Sequence, residues 1–329
     1  MTERQGSRAD RRVLRNVARA VVSAAILTVI ASRIDLDAVL EIGRAADAGW
    51  IVLAFTLALG GRIFAAFRWY LLVHGSNPGA RFGRIIRLVF TSSLFGMFLP
   101  GMLGVDVIRV YGLSKSTSDL ALAFASVLVE RLLATTVLVI LVLVSLFFAP
   151  PGLPDVLMRV AQVGLLVIVV GSVAIMQSAT RAIGDRILDV LRLAPIKIRL
   201  HQVYKALDYY RTKPKIMAWS VVAAIGAVAF RIIPTVVIAV ALGLEIPLVH
   251  FAIFLPLIHF VTQVPISLGG LGVRETAFVT LFGLVGVSLE EAFTLSLVVY
   301  LVTISCAVPG AWFYASGGIT EETRGASPK

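Results

Sequence analysis

An apolar run extends from Pro247 to about Val287, and it cannot be one helix. Its centre reads Pro265-Ile266-Ser267-Leu268-Gly269-Gly270-Leu271-Gly272-Val273-Arg274-Glu275. Proline lacks a backbone donor and clashes with the preceding turn, and each interior glycine costs a helix about 1 kcal/mol. Arg274 and Glu275, residue types that hydrocarbon tolerates least, stand directly beside the break. Irregular backbone survives in a membrane only where protein buries it or water reaches it. A broken apolar segment flanked by charge therefore reads as a binding site.

The same device occurs once earlier, at Pro100-Gly101-Met102-Leu103-Gly104-Val105-Asp106-Val107-Ile108-Arg109, which shares the spacing P-x-x-L-G-x-x-x-x-R. Ala66-Phe67-Arg68 likewise returns as Ala229-Phe230-Arg231. Both recurrences lie about half a chain apart, so the sequence reads as two diverged repeats. Each has an arginine-bearing helix followed by a Pro/Gly-broken hairpin.

With 58% hydrophobic residues and several stretches near the roughly 20 residues a bilayer span needs, the chain is a polytopic helical membrane protein. The net charge of +11 could indicate nucleic acid, but the basic residues cluster beside apolar segments, as cytoplasmic flanks do. The single Cys306 excludes an internal disulfide or a cysteine-type zinc site. No cofactor or metal site is indicated.

Residues 1–16 form a basic cytoplasmic tail; six arginines face two acids before residue 20. The first repeat is 17–154, with a helix at about 17–34, an acidic outer loop at 33–47 and a span at about 50–73 carrying Arg62 and Arg68. Residues 88–99 provide about 12 helical residues, or roughly 18 Å, too short for a core near 30 Å. This segment is expected to dip in, break at Pro100 and Gly101, and return through Gly104, Asp106 and Arg109. The span at 120–148 carries Glu130 and Arg131, which point about 100° apart on a helix and so need separate partners, for which the hairpins are candidates. The second repeat, 155–315, opens with a span at about 156–177. A segment at 180–215 follows, holding nine Lys/Arg between Arg181 and Lys215 and read as amphipathic helices on the inner leaflet. The span at 216–242 carries Arg231, and then come the second hairpin, with hinge residues Pro265, Gly269, Gly270 and Gly272, and a last span at 292–314. Residues 316–329 form a cytoplasmic tail. His250 and His259 read as packing or interface residues.

The expected fold is an all-α polytopic membrane protein with about six full spans plus two Pro/Gly-broken re-entrant hairpins, arranged as an inverted repeat.

On the motifs Phe98-Leu99-Pro100-Gly101-x-x-Gly104-x-Asp106-x-x-Arg109 and Gly269-Gly270-Leu271-Gly272-Val273-Arg274-Glu275, the chain resembles the flippase-like transmembrane family, which includes the membrane region of lysylphosphatidylglycerol synthases. The similarity covers about Arg12 to Tyr314. Gly104-Val105-Asp106 stands where that family often has Gly-Gly-Asp. The resemblance implies lipid translocation. It argues against lipid aminoacylation, because the soluble aminoacyl-transfer domain of those synthases is absent.

The expected function is a lipid translocase in which Arg68, Arg109, Arg231 and Arg274 receive a lipid phosphate through planar bidentate donors. Arg62, Glu130 and Arg131 complete the site, and Asp106 and Glu275 balance its charge. The partner is an anionic or phosphate-bearing membrane lipid and not nucleic acid. Two rivals stand beside this: an integral membrane enzyme moving a lipid-linked group, and a scaffold for a separate lipid-modifying enzyme. With no Walker, metal or nucleophile motif, the chain reads as transporter-like rather than enzymatic.

The arginine and lysine bias places both termini on the cytoplasmic side of the cell inner membrane. Single cysteines at Gly152 and Ser288 should therefore react with an impermeant reagent in intact cells, whereas one at Arg192 should not. Labelling at Arg192 from outside would overturn this topology.

Overall fold

The computed structural model describes residues 20–96, 103–148, 212–263, 267 and 269–316, with scattered positions between 159 and 210. Every described element is a helix. In chain order these are α1 (Ala20–Ala31), α2 (Leu36–Ala45), α3 (Ala48–Ser76), α4 (Phe82–Gly96), α5 (Leu103–Thr117), α6 (Leu120–Phe147), α7 (Pro214–Ala241), α8 (Leu248–Gln263), α9 (Val273–Gly283), α10 (Leu289–Ser305) and α11 (Pro309–Ala315).

Among the described residues, four stretches are long and apolar enough to cross a membrane: α3, α6, α7, and α10 taken with α11. The protein is accordingly a multi-pass membrane protein. Of the two other expected spans, the first is described only as α1, and the one at about 156–177 lies largely outside the described residues. Pro100, Gly101 and Pro265 lie outside them as well.

The helix starts follow from local chemistry. Asp35 caps α2 by accepting from the amides of Asp37 and Ala38, and Asp47 caps α3 through Gly49 and Trp50. Those caps correct the sequence reading at 33–47: the acidic stretch is a ten-residue amphipathic helix rather than a loop. Its acids mark helix starts, which a charge count alone does not distinguish from a polar loop. The helix α4 starts six residues before the expected Leu88, yet its 15 residues span only about 22 Å. The last span is interrupted at Cys306–Val308, ahead of Pro309.

The helices α3 and α7 form the spine. The Asp47 amide donates to the Ala241 carbonyl at 2.9 Å, tying the start of α3 to the end of α7. At the opposite end Gly75 lies against Ile216, so the two helices run antiparallel along their length. Glycine permits the close approach between them. A Cβ at Gly61 would stand 2.9 Å from Phe230 Cβ and 3.1 Å from its carbonyl oxygen, and one at Gly226 would stand 2.5 Å from Phe64. The Phe64 and Phe230 rings meet at 5.6 Å beside these glycines.

Each half has its own apolar core. Trp69, Ile85, Leu88, Leu113 and Val127 join α3, α4, α5 and α6. Phe251, Phe254, Phe278, Phe282 and Leu295 join α8, α9 and α10 with α7. The limbs α4 and α5 pack tightly, Gly96 against Val105 and Gly112 against Leu88; α8 and α9 are likewise in contact. The pair α4–α5 follows the C-terminus of α3, whereas α8–α9 follows the C-terminus of α7. Because those two termini lie at opposite ends of the spine, the helix pairs open at opposite ends.

At the α3 C-terminus, Tyr209 donates to the Gly75 carbonyl, and Tyr210 donates to the Leu72 carbonyl at 3.3 Å. Burial pushes the Tyr210 hydroxyl up to about 12, so it remains a neutral donor at ordinary pH.

Gly61→Val should destabilise the spine by about 1–3 kcal/mol, because the extra carbons meet the Phe230 backbone. Thermal unfolding in detergent checks this. Unchanged stability would mean that α3 and α7 are not closely packed at Gly61.

Candidate functional site

The second break is built from glycine conformations. Gly269, Gly270 and Gly272 have φ of 58°, 81° and 83°, a region that side chains disfavour. Gly272 ends the turn and caps α9, and its amide donates to Glu275 Oε2 at 2.6 Å. A Cβ on Gly272 would stand 3.0 Å from Ile26, so α1 packs over this turn. Gly104, by contrast, already lies inside α5.

Arg274 and Glu275 pair with each other. The rule that adjacent helical residues diverge fails here, because Glu275 folds back to cap the helix start and the long guanidinium reaches it. Arg274 is also held by Ser296 Oγ at 3.3 Å and stacks 4.0 Å from the Tyr300 ring centroid. Glu275 therefore acts as a brace for the turn. Ser296 and Tyr300 carry no sequence signal for this role.

The principal polar cluster lies where α3, α5, α6, α7 and α8 meet. Glu130 on α6 is 3% exposed and receives two arginines, Arg68 from α3 and Arg109 from α5, the latter at 2.6 Å. Arg68 is only 6% exposed, so its charge is held in the interior of the bundle. Arg109 also lies 4.1 Å over Trp69, whose indole donates to Ser126 Oγ at 3.1 Å. A ring held by its own hydrogen bond fixes the guanidinium plane above it.

One residue on, Arg131 pairs with Asp106 at the start of α5 and donates to Gln263 Oε1 at 3.2 Å on the last turn of α8. Asp106 and Arg109, which share a face at i,i+3, are therefore not paired together; each takes its partner from α6. The divergence of Glu130 and Arg131 has the consequence expected of it. Arg131 additionally touches both helix pairs, through Asp106 in the first turn of α5 and Gln263 in the last turn of α8.

Arg231 on α7 stands 2.7 and 2.9 Å from the two ring nitrogens of His259 on α8, within electrostatic reach of Arg62, Arg68, Glu130 and Arg131. It is exposed although it lies well inside a long apolar helix. His259 is thus a member of the cluster rather than the packing or interface residue expected; His250, buried and stacked on Phe254, fits the packing expectation. Arg62 donates to the Thr303 carbonyl at 2.8 Å.

The structure thus brings together Arg68, Arg109, Glu130, Asp106, Arg131 and Arg231, with Arg62 close by. No contact among the described residues joins Arg109 to Arg274, whose partners come from different helices. The expected convergence of these two arginines is not seen. The sequence reading also missed Trp69, Ser126, Gln263 and His259; only the position of Gln263 beside the break could have signalled it.

Fold and site together define a polytopic helical membrane protein with arginines and carboxylates gathered where α3, α5, α6, α7 and α8 meet. The family model described as the lysylphosphatidylglycerol synthase TM region matches residues 16–310, and the chain belongs to that family. A comparison with curated proteins found no match. The protein is thereby related to lipid modification or translocation.

Glu130→Gln should lower stability by about 3–5 kcal/mol, because two buried guanidinium groups lose their shared carboxylate. Adding Arg68→Gln should recover part of that loss in a double-mutant cycle of thermal unfolding. Strict additivity would show that the two side chains do not interact.

Proposed function

We propose that the protein is a lipid translocase that passes a phosphate-bearing headgroup between leaflets through the polar cluster. The single observation that carries this reading is Arg231, a residue with exposed surface in the middle of an apolar helix, whose guanidinium is set among further arginines. Insertion scales put a mid-helix arginine at about +2.5–3.5 kcal/mol. A wet cavity that admits an anion explains why such a group faces outward from its helix.

The arrangement supports the inverted repeat and re-entrant hairpins expected from sequence. Pairing α3 with α7, α4 with α8, α5 with α9 and α6 with α10–α11 leaves the helix contacts matched. The α4–α5 contact corresponds to α8–α9, α5–α6 to α9–α10, and α6–α8 to α11–α4. With an antiparallel spine, each pair of limbs enters from its own face, the plan of many secondary transporters. Arg131, bonded to Asp106 on one pair and Gln263 on the other, sits where motion of either would be felt by both. The lipid is anionic or phosphate-bearing, and both termini lie in the cytoplasm, in keeping with the basic flanks.

Purified protein in proteoliposomes, assayed with a fluorescent phospholipid and an impermeant quencher, should accelerate lipid exchange. Arg109→Ala and Arg231→Ala should each weaken headgroup binding roughly 10- to 150-fold, the value of one charge-assisted contact. Lysine should rescue only partly, because a point charge cannot reproduce the planar fork. Arg231→Ala is the cleaner variant, since its described contact is an imidazole rather than a carboxylate. Exchange at the wild-type rate in folded Arg231→Ala protein would contradict the proposal.

A further inference from the structure

The charges of the cluster do not balance, and the imbalance bears on what it binds. Among the described residues, three carboxylates are ion-paired inside the bundle: Asp106, Glu130 and Glu275. Glu275 is engaged by Arg274 and by the turn it caps. Asp106 is engaged by Arg131. Glu130 is shared between Arg68 and Arg109, so one carboxylate faces two guanidinium groups.

Arg62 and Arg231 extend the excess. The contacts described for them are a backbone carbonyl and an imidazole, which satisfy donors without cancelling charge. Among the described residues, the four arginines Arg62, Arg68, Arg109 and Arg231 thus face one carboxylate, Glu130, which leaves about three positive charges uncompensated. Further, Arg68 Nε and Arg109 Nε are buried with no hydrogen-bond acceptor. Buried donors without acceptors and like charges held close in a weak dielectric are both costly unless an anion arrives.

We infer that the headgroup taken by this cluster carries a phosphate monoester or a pyrophosphate, a dianion or more, rather than the single charge of a phosphodiester. A diester monoanion cancels one of the three charges and offers only two non-bridging oxygens. A terminal phosphate offers three oxygens and, above its second ionisation near pH 6, two charges. Three oxygens suit guanidinium groups carried by three different helices, Arg68 on α3, Arg109 on α5 and Arg231 on α7. This inference rests on the reading of the cluster as a headgroup site and narrows the lipid class that reading admits.

The test measures binding, not transport. The full chain in detergent micelles is titrated at pH 8 with dioleoyl phosphatidic acid, a monoester, and with dioleoyl phosphatidylglycerol, a diester. Native mass spectrometry and thermal shift follow the titration, with inorganic phosphate as a third arm. The monoester should bind at least roughly tenfold more tightly, the smallest step that one further charge-assisted contact provides. Arg231→Gln should reduce that preference, and Arg231→Lys should retain part of it. Equal affinity for monoester and diester, or a preference unchanged in Arg231→Gln, would overturn the inference. Protection by inorganic phosphate equal to that by the lipid would overturn the assignment of a lipid. A protein that selects the monoester yet exchanges no lipid would keep this inference and lose the translocase; one that exchanges lipid without selecting would do the reverse.

Discussion

The structure depends on a carboxylate in the wrong solvent. Glu130 sits in an apolar helix at 3% exposure, where an isolated charge would be strongly disfavoured, and it is tolerable only because Arg68 and Arg109 close on it. That requirement fixes the relative position of three elements: the spine helix α3, the limb α5 and the long helix α6. Arg131, one residue along, extends the constraint to α8 through Gln263. Four helices from both halves are thereby registered by two adjacent residues of α6.

Packing then decides how much of this frame can move. The α3–α7 contact is made by glycines against phenylalanines, tight enough that a methyl group would collide. The two helix pairs rest in separate apolar cores near its two ends. The excess of guanidinium over carboxylate at their meeting point gives the arrangement a chemical purpose that apolar packing alone would not require.

Much of the frame was legible in the sequence, for identifiable reasons. Long apolar runs give the spans, and the clustered glycines at 269–272 give the break because only glycine readily takes three positive φ values within four residues. The separation of adjacent helical side chains foretold that Glu130 and Arg131 would find different partners. Other features depended on tertiary choice. Nothing local indicates that Arg274 turns toward Tyr300 instead of Arg109, although Glu275, three residues after Gly272, stands where a carboxylate caps a helix start. His259 read as apolar packing because its partner, Arg231, is 28 residues away on another helix. The helix α2 was hidden in an acidic stretch whose aspartates serve as caps.

The central claim is that the arginines around Glu130 form a lipid headgroup site reached from the bilayer. An electron cryomicroscopy map of the protein in nanodiscs containing anionic phospholipid tests it most directly. The account predicts headgroup density within hydrogen-bonding distance of Arg231 and at least one of Arg68 and Arg109, with acyl chains leaving between the helices. A dry, closed cluster with lipid density confined to the outer surface would contradict it.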